Sequence, residues 1–280
     1  MTIADATGPG DTVLIGDKVP MPVLGLGVFQ LSGRQVRTSV AAAVDAGYRH
    51  VDTASIYGNE SDVGRAARDA PGGGVFVTTK LWNSDQGAGS VRPAFERSRR
   101  ALGIDVVDLY LIHWPVPRLR LDSWRVMEEL LEEGKVRAIG VSNYMERHLD
   151  ELLAVAKHPP AVNQIELSPF CYRSRAAVVE RCRQAGIVVQ SFSPLTQGRM
   201  LRDPGLAAVA GRHGRSAAQV LIRWALQKGV VPLPRSTNPQ RIAANADVFG
   251  FALTDDDMAV LDGLDRNLVV QPGWDPTGAP

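Results

Sequence analysis

Eight short β-branched or apolar runs alternate with amphipathic stretches along nearly the whole chain, and this alternation restricts the fold more than any other feature. The runs fall near 23–28, 48–53, 75–80, 106–112, 136–142, 161–166, 187–192 and 230–234. Helical patterns follow near 33–46, 61–67, 89–102, 122–133, 146–156, 174–185, 216–227 and 239–246. Gly47, Gly103, Gly134, Gly186 and Gly229 each close an apolar-periodic stretch, where a left-handed cap is wanted before the chain turns into a strand. Asn238-Pro239 places a capping side chain ahead of a proline at the first helical position. Eight strand-then-helix units in this order read as an α/β fold of the (β/α)8 TIM-barrel type. A doubly wound sheet is the competing architecture, but it needs fewer units and normally opens on a glycine-rich phosphate turn. Gly25-Leu26-Gly27 is too short to be that turn.

Two parts fall outside the eight units. Residues 12–21, with Gly16-Asp17 between apolar flanks, read as a β-hairpin that would plug the bottom of the barrel. A further helix is expected near 254–264, followed by the polar tail Gln271-Pro272-Gly273-Trp274-Asp275-Pro276. Trp274 has two readings, folding back over the mouth of the site or packing on the surface, and nothing local separates them. The Gly72-Gly73-Gly74 run reads as a flexible loop at the bottom face.

A chain of 280 residues suits one barrel domain and buries an ample core without staples, with residues 1–12 expected to be flexible. A net charge of +1 gives no whole-molecule pull on nucleic acid or membrane. No apolar run approaches the ~18 residues of a membrane span. Cys171 and Cys182 stand in no pairing motif, which fits a reducing cytoplasm, and the first residues carry no signal-peptide pattern. His50, His148, His158 and His213 have no metal-ligand spacing, so a metal is not expected.

In such a barrel the C-terminal strand ends form the active face. Asp52, Lys80 and His113 fall at or just past three successive strand ends, and Tyr57 lies in a loop on the same face. Each has an ordinary reading alone: a turn-capping aspartate, a solvated lysine, a packing histidine, a loop tyrosine. Together they read as a site. A phenol, with an unperturbed pKa near ~10, can protonate a carbonyl near neutral pH if a nearby ammonium favours the phenolate. Lys80 is placed to supply that ammonium.

Seven blocks in order carry a resemblance to the aldo-keto reductase superfamily. They are Asp52-Thr53-Ala54 with Tyr57-Gly58-Asn59-Glu60, Thr78-Thr79-Lys80-Leu81-Trp82-Asn83, Asp108 through Pro115, Gly140-Val141-Ser142-Asn143-Tyr144, Asn163-Gln164-Ile165-Glu166, Phe192-Ser193-Pro194-Leu195, and Arg235-Ser236 through Arg241-Ile242. The stretch Leu81-Trp82-Asn83-Ser84-Asp85-Gln86-Gly87 resembles the prokaryotic branch acting on small aldehydes, α-dicarbonyls and diketo sugar acids, such as 2,5-diketo-D-gluconic acid reductases.

The resemblance implies an NADPH-dependent reductase that acts on a small-molecule carbonyl as a monomer. Tyr57 would be the general acid, Lys80 and Asp52 would tune it, and His113 would orient the carbonyl oxygen. No side chain transfers hydride, so NADPH/NADP+ must supply it. Ser142, Asn143 and Gln164 would hold the carboxamide, Phe192 would stack on the nicotinamide ring, and Ser193 and Leu195 would also bind the cofactor. By themselves Asn143 also reads as a cap of the helix that follows and Gln164 as a polar barrel residue. Arg235, Ser236, Thr237 and Arg241, entering a helix N-terminus, would grip the adenosine 2′-phosphate. Asn245 would meet the adenine, although Ala244 stands where the family often has glutamate. Around the carbonyl position Phe29, Trp82 and Trp114 read either as an aromatic pocket wall or as plain packing. Arg118 and Arg120, in the loop after His113, read either as meeting an anionic substrate or as solvated loop side chains. A non-catalytic NADPH-binding sensor and a lyase or isomerase without redox cofactor are the alternatives. Consumption of cofactor separates a reductase from the first, and cofactor binding separates it from the second.

Overall fold

The computed structural model describes residues 2–16, 18–72, 74–270 and 272–280. Asp17 of the hairpin turn, Gly73 of the glycine run and Gln271 of the tail lie outside the described residues. A hairpin of β1 (Thr12–Ile15) and β2 (Val19–Pro22) precedes eight parallel strands. These are β3 (Leu26–Gly27), β4 (His50–Asp52), β5 (Phe76–Leu81), β6 (Val107–Ile112), β7 (Val136–Ser142), β8 (Val162–Glu166), β9 (Val188–Phe192) and β10 (Val231–Pro232). They pair strictly in chain order, β3 beside β4 through to β10. The ring then closes on itself. Gly25 N donates to Pro232 O at 3.2 Å and Gly27 N to Pro234 O at 3.1 Å, joining the first barrel strand to the last. The (β/α)8 architecture read from the alternation is the one observed.

Helices α1 (Arg34–Asp45), α2 (Glu60–Arg68), α3 (Val91–Leu102), α4 (Arg120–Glu132), α5 (Glu146–Leu153) and α6 (Tyr172–Gln184) follow β4's predecessor and the next five strands in turn. After β9 come two helices, α7 (Pro204–His213) and α8 (Ala217–Gln227). Helix α9 (Pro239–Ala246) follows β10, and α10 (Asp255–Asp262) is the extra helix expected beyond the barrel. The five glycines read as caps all have positive φ, between 64° and 93°. Asn238 accepts from Arg241 N at 3.0 Å and Pro239 opens α9, as the sequence requires. Helix α7 has no counterpart among the helical patterns of the sequence. Its start is nonetheless punctuated, since Asp203 accepts from Gly205 N and Leu206 N and Pro204 takes the first helical position. Among the described residues no helix is long and apolar enough to cross a membrane.

The N-terminal segment expected to be flexible places Ile3 and Ala6 in the core, 6% and 5% exposed. Two buried apolar side chains outweigh the polar look of the segment. The hairpin delivers Met21, fully buried, to the bottom of the barrel interior, where its sulfur accepts from Gln190.

Gly140 in β7 shows how tightly the strands nest beside the site. A Cβ there would meet Val162 O of β8 at 2.6 Å and Leu111 Cδ2 of β6 at 2.8 Å. Backbone cannot swing aside as a side chain can, so Gly140→Ala should cost at least about 1–3 kcal/mol. Urea melts of the variant measure this; an unchanged midpoint would show that β7 and β8 part easily.

Candidate active site

Strand alternation decides which side chains enter the barrel. Along β5, Thr79 points outward and donates to Glu60 of α2 at 2.6 Å, so Thr78 and Lys80 point inward. Lys80 is fully buried, and its Nζ donates to Asp52 Oδ1 at 2.6 Å and to Thr53 O at 2.8 Å. The second oxygen of Asp52 accepts from Gln164 Nε2 at 2.7 Å. A buried ammonium is costly unless paired, and this one is paired. Burial still pulls the Lys80 pKa below its ordinary value, with Asp52 opposing the shift.

Tyr57 lies in a short 3₁₀ turn (Ser55–Tyr57) after β4, with Lys80 Nζ 5.2 Å from its ring centroid. Its ring meets Phe29 at 4.9 Å and His113 at 5.8 Å between centroids. The expected lowering of its pKa by Lys80 is not what the surroundings produce. Burial raises it well above the ordinary phenol value, and the charge of Asp52 pushes the same way. The group is a phenol that keeps its proton.

His113, at the end of β6, is held neutral by burial and then by Lys80, both of which lower its pKa. Its Nδ1 is buried and has no hydrogen-bond partner among the described residues. A buried N–H with no acceptor costs more than a bare nitrogen, which puts the single proton on Nε2. The backbone carbonyl of His113 accepts from Asn143 Nδ2 at 3.0 Å, and the same amide nitrogen donates to Ser142 Oγ at 3.0 Å. Asn143 therefore does not cap α5. It occupies left-handed backbone, φ 65°, which asparagine tolerates better than most residues. Gln30, Ser193, Thr196 and Gln197 share positive φ on the same face, a clustering of strain common at functional sites.

A cavity of about 920 Å³ opens at the C-terminal ends of the strands. Asp52, Tyr57, His113 and Phe29 line one region of it, with Ser142, Asn143, Gln164, Phe192, Ser193 and Leu195 also on its walls. Arg235, Ser236, Thr237, Arg241 and Asn245, at the entry to α9, line it as well. Lys80 stands behind Asp52, out of the wall. Arg235 donates to Phe29 O at 3.1 Å, so the basic segment reaches across to the aromatic rim. The cavity has room for a dinucleotide, with an N-terminal helix end and two guanidiniums at one region to favour a phosphate. Among the described residues no group of three His, Cys, Asp or Glu could hold a metal ion.

Two pocket expectations need correction. Trp82 and Trp114 do not line the large cavity, because Trp274 of the tail lies against both, at 5.4 Å and 5.8 Å between ring centroids, and takes the wall itself. Of the two readings of Trp274, the tail thus follows the fold back over the mouth. Asp275 and Thr277 each bond the buried Arg175 at 2.9 Å, and Arg120 donates to Pro280 O at 2.8 Å. Arg120 also pairs with Glu151, so its charge is committed to the scaffold rather than to an anionic substrate. Sequence reasoning did not single out Ile56, Gln30, Gln35, Gln197 or Leu201, which also line the cavity. A side chain's position on a wall made by several loops leaves no periodic trace.

The chain matches the model of the Aldo/keto reductase family over residues 23–266. It is 47% identical over 265 residues to an aldo-keto reductase of Mycolicibacterium vanbaalenii, covering 93% of this chain and 94% of the relative. A glyoxal reductase of Bacillus subtilis is 44% identical over 271 residues, covering 95% and 96%. Among solved structures, a Bombyx mori aldo-keto reductase in complex with NADP superposes with a TM-score of 0.86 at 33% identity, covering 94% of this chain and 95% of that one.

Proposed function

The chain belongs to the aldo/keto reductase family, an oxidoreductase family, and from that premise we propose that it reduces small aldehydes, ketones or α-dicarbonyls to alcohols with NADPH. Diketo sugar acids remain within that class. One observation carries the reading: a proton-holding phenol and a basic helix entry line the same cavity. The B. subtilis glyoxal reductase and the NADP-bound B. mori enzyme support the substrate class and the cofactor.

Ser142, Asn143 and Gln164 would hold the carboxamide of the nicotinamide, with Phe192 against its ring. Arg235, Ser236, Thr237 and Arg241 would take the 2′-phosphate and Asn245 the adenine. When bound there, the dinucleotide would be the source of hydride. Tyr57 gives its proton to the carbonyl oxygen and regains one from solvent. A neutral His113 with its proton on Nε2 donates to the same oxygen and orients it. Lys80 and Asp52 hold each other in place, and Lys80 offers positive charge as the phenolate forms.

The test is loss of NADPH absorbance with glyoxal as substrate; an enzyme that binds NADPH without consuming it against any carbonyl would be a sensor instead. Arg241→Ala should raise the KM for NADPH roughly ten- to a hundredfold, the worth of a charge-assisted contact, and leave that for NADH almost unmoved. Equal effects on the two cofactors would remove the 2′-phosphate assignment.

A further inference from the structure

Gln190 is fully buried in β9, on the interior of the barrel, and lies outside the cavity wall. Its Oε1 accepts from Gln164 Nε2 at 2.9 Å, and its own Nε2 lies 3.1 Å from Met21 Sδ. The polarity of this row is set from one end. Lys80 fixes Asp52 as a carboxylate, which can only accept. Gln164 must therefore turn its amide nitrogen toward Asp52 Oδ2. An NH₂ group has two hydrogens, and Gln190 Oε1 takes the second. Both donors of Gln164 are then spent inside the barrel, and the amide atom left for the cavity is its oxygen.

We propose that Gln190 is a positioning residue that locks the Gln164 side chain with its oxygen toward the cavity, so that the site selects a nicotinamide bearing a carboxamide NH₂. This rests on the proposed nicotinamide function. Without the Gln190 oxygen, one Gln164 N–H has no interior acceptor, and the amide is free to turn that donor outward. An outward oxygen accepts from a carboxamide NH₂ but has nothing to receive from the methyl group that replaces it in the 3-acetylpyridine analogue of NADP+.

The experiment is a fluorescence-quenching titration of the whole protein with NADP+, with its 3-acetylpyridine analogue, and with adenosine 2′,5′-bisphosphate, which lacks the nicotinamide. Wild type should prefer NADP+ over the analogue by about tenfold, the worth of one hydrogen bond at a preorganised acceptor. Gln190→Met, close in shape, and Gln190→Leu should bring that ratio near one while binding of the bisphosphate stays as in wild type. Gln190→Glu, which keeps an acceptor, should keep the preference. A merely structural role would weaken all three ligands together and leave the ratio alone.

An undiminished ratio in a Met or Leu variant that still binds the bisphosphate overturns the proposal and leaves the cofactor reading intact. So does a wild type that binds NADP+ and the analogue equally. A wild type that binds neither dinucleotide overturns the parent reading itself. Should both apolar variants fail to bind the bisphosphate, the Glu variant decides, and loss of preference there overturns the proposal.

Discussion

Replacing Tyr57 with phenylalanine should leave NADPH binding near the wild-type level and lower carbonyl reduction by roughly 10²–10⁴-fold, the usual worth of a well-placed general acid. The ring is held by Phe29 and His113 rather than by its hydroxyl, so the wall of the cavity survives the change. Only the proton is lost. The measurement is a pair: cofactor titration by fluorescence, and turnover of glyoxal by absorbance. Retention of a tenth or more of wild-type turnover would assign the acid elsewhere.

The phenol's surroundings add a pH expectation. Reduction needs Tyr57 protonated, and both burial and Asp52 raise its pKa, so activity should hold through neutral pH and fall only in the alkaline range. Asp52→Asn removes the second of those influences. Its alkaline fall should therefore sit at lower pH than in wild type, and a fall at higher pH would reverse the sign argued here.

The second large effect is on stability. Lys80→Met removes the ammonium from a carboxylate that is itself only 4% exposed, leaving a buried charge without its partner. Such breakage costs about 3–5 kcal/mol, which for a chain of this size lowers Tm by about 10 °C. Neutralising both members is much cheaper than neutralising one, because no charge is left stranded. The Lys80→Met, Asp52→Asn double variant should thus recover much of the lost stability, though not the activity. Thermal unfolding of the two singles and the double gives the coupling directly; simple additivity would mean that the pair is not the source of the cost.

The barrel was legible because its elements are marked at both ends. Apolar runs of the right length stand between glycines that must adopt positive φ, and Asn238-Pro239 announces α9. Helix α7 escaped because Gly205 and Gly211 dilute its helical character, although the Asp203-Pro204 start was a usable signal. Residues near 3–6 leave no signal because two isolated buried side chains, Ile3 and Ala6, make no pattern. In the candidate site, position along each strand placed Asp52, Lys80 and His113 on the right face, since strand ends share a layer. What a sequence cannot state is who touches whom across the ring. That Gln190 abuts Gln164, or that Trp274 rather than Trp82 or Trp114 forms the wall, depends on pairings between remote segments. The direction of the Tyr57 shift is hidden for a related reason. It is set first by how deeply the phenol is buried and then by the charge of Asp52, and neither is written in the sequence.

The bonds from Gly25 and Gly27 to Pro232 and Pro234 have a consequence for the chain's synthesis. The edge of β3 that faces β10 leaves the ribosome roughly 200 residues before its partner. At ~5–20 residues per second, that edge waits some ~10–40 s without its neighbour, with unsatisfied amides open to other nascent chains. Slow translation late in the message should therefore favour inclusion bodies, and holdase chaperones should relieve them.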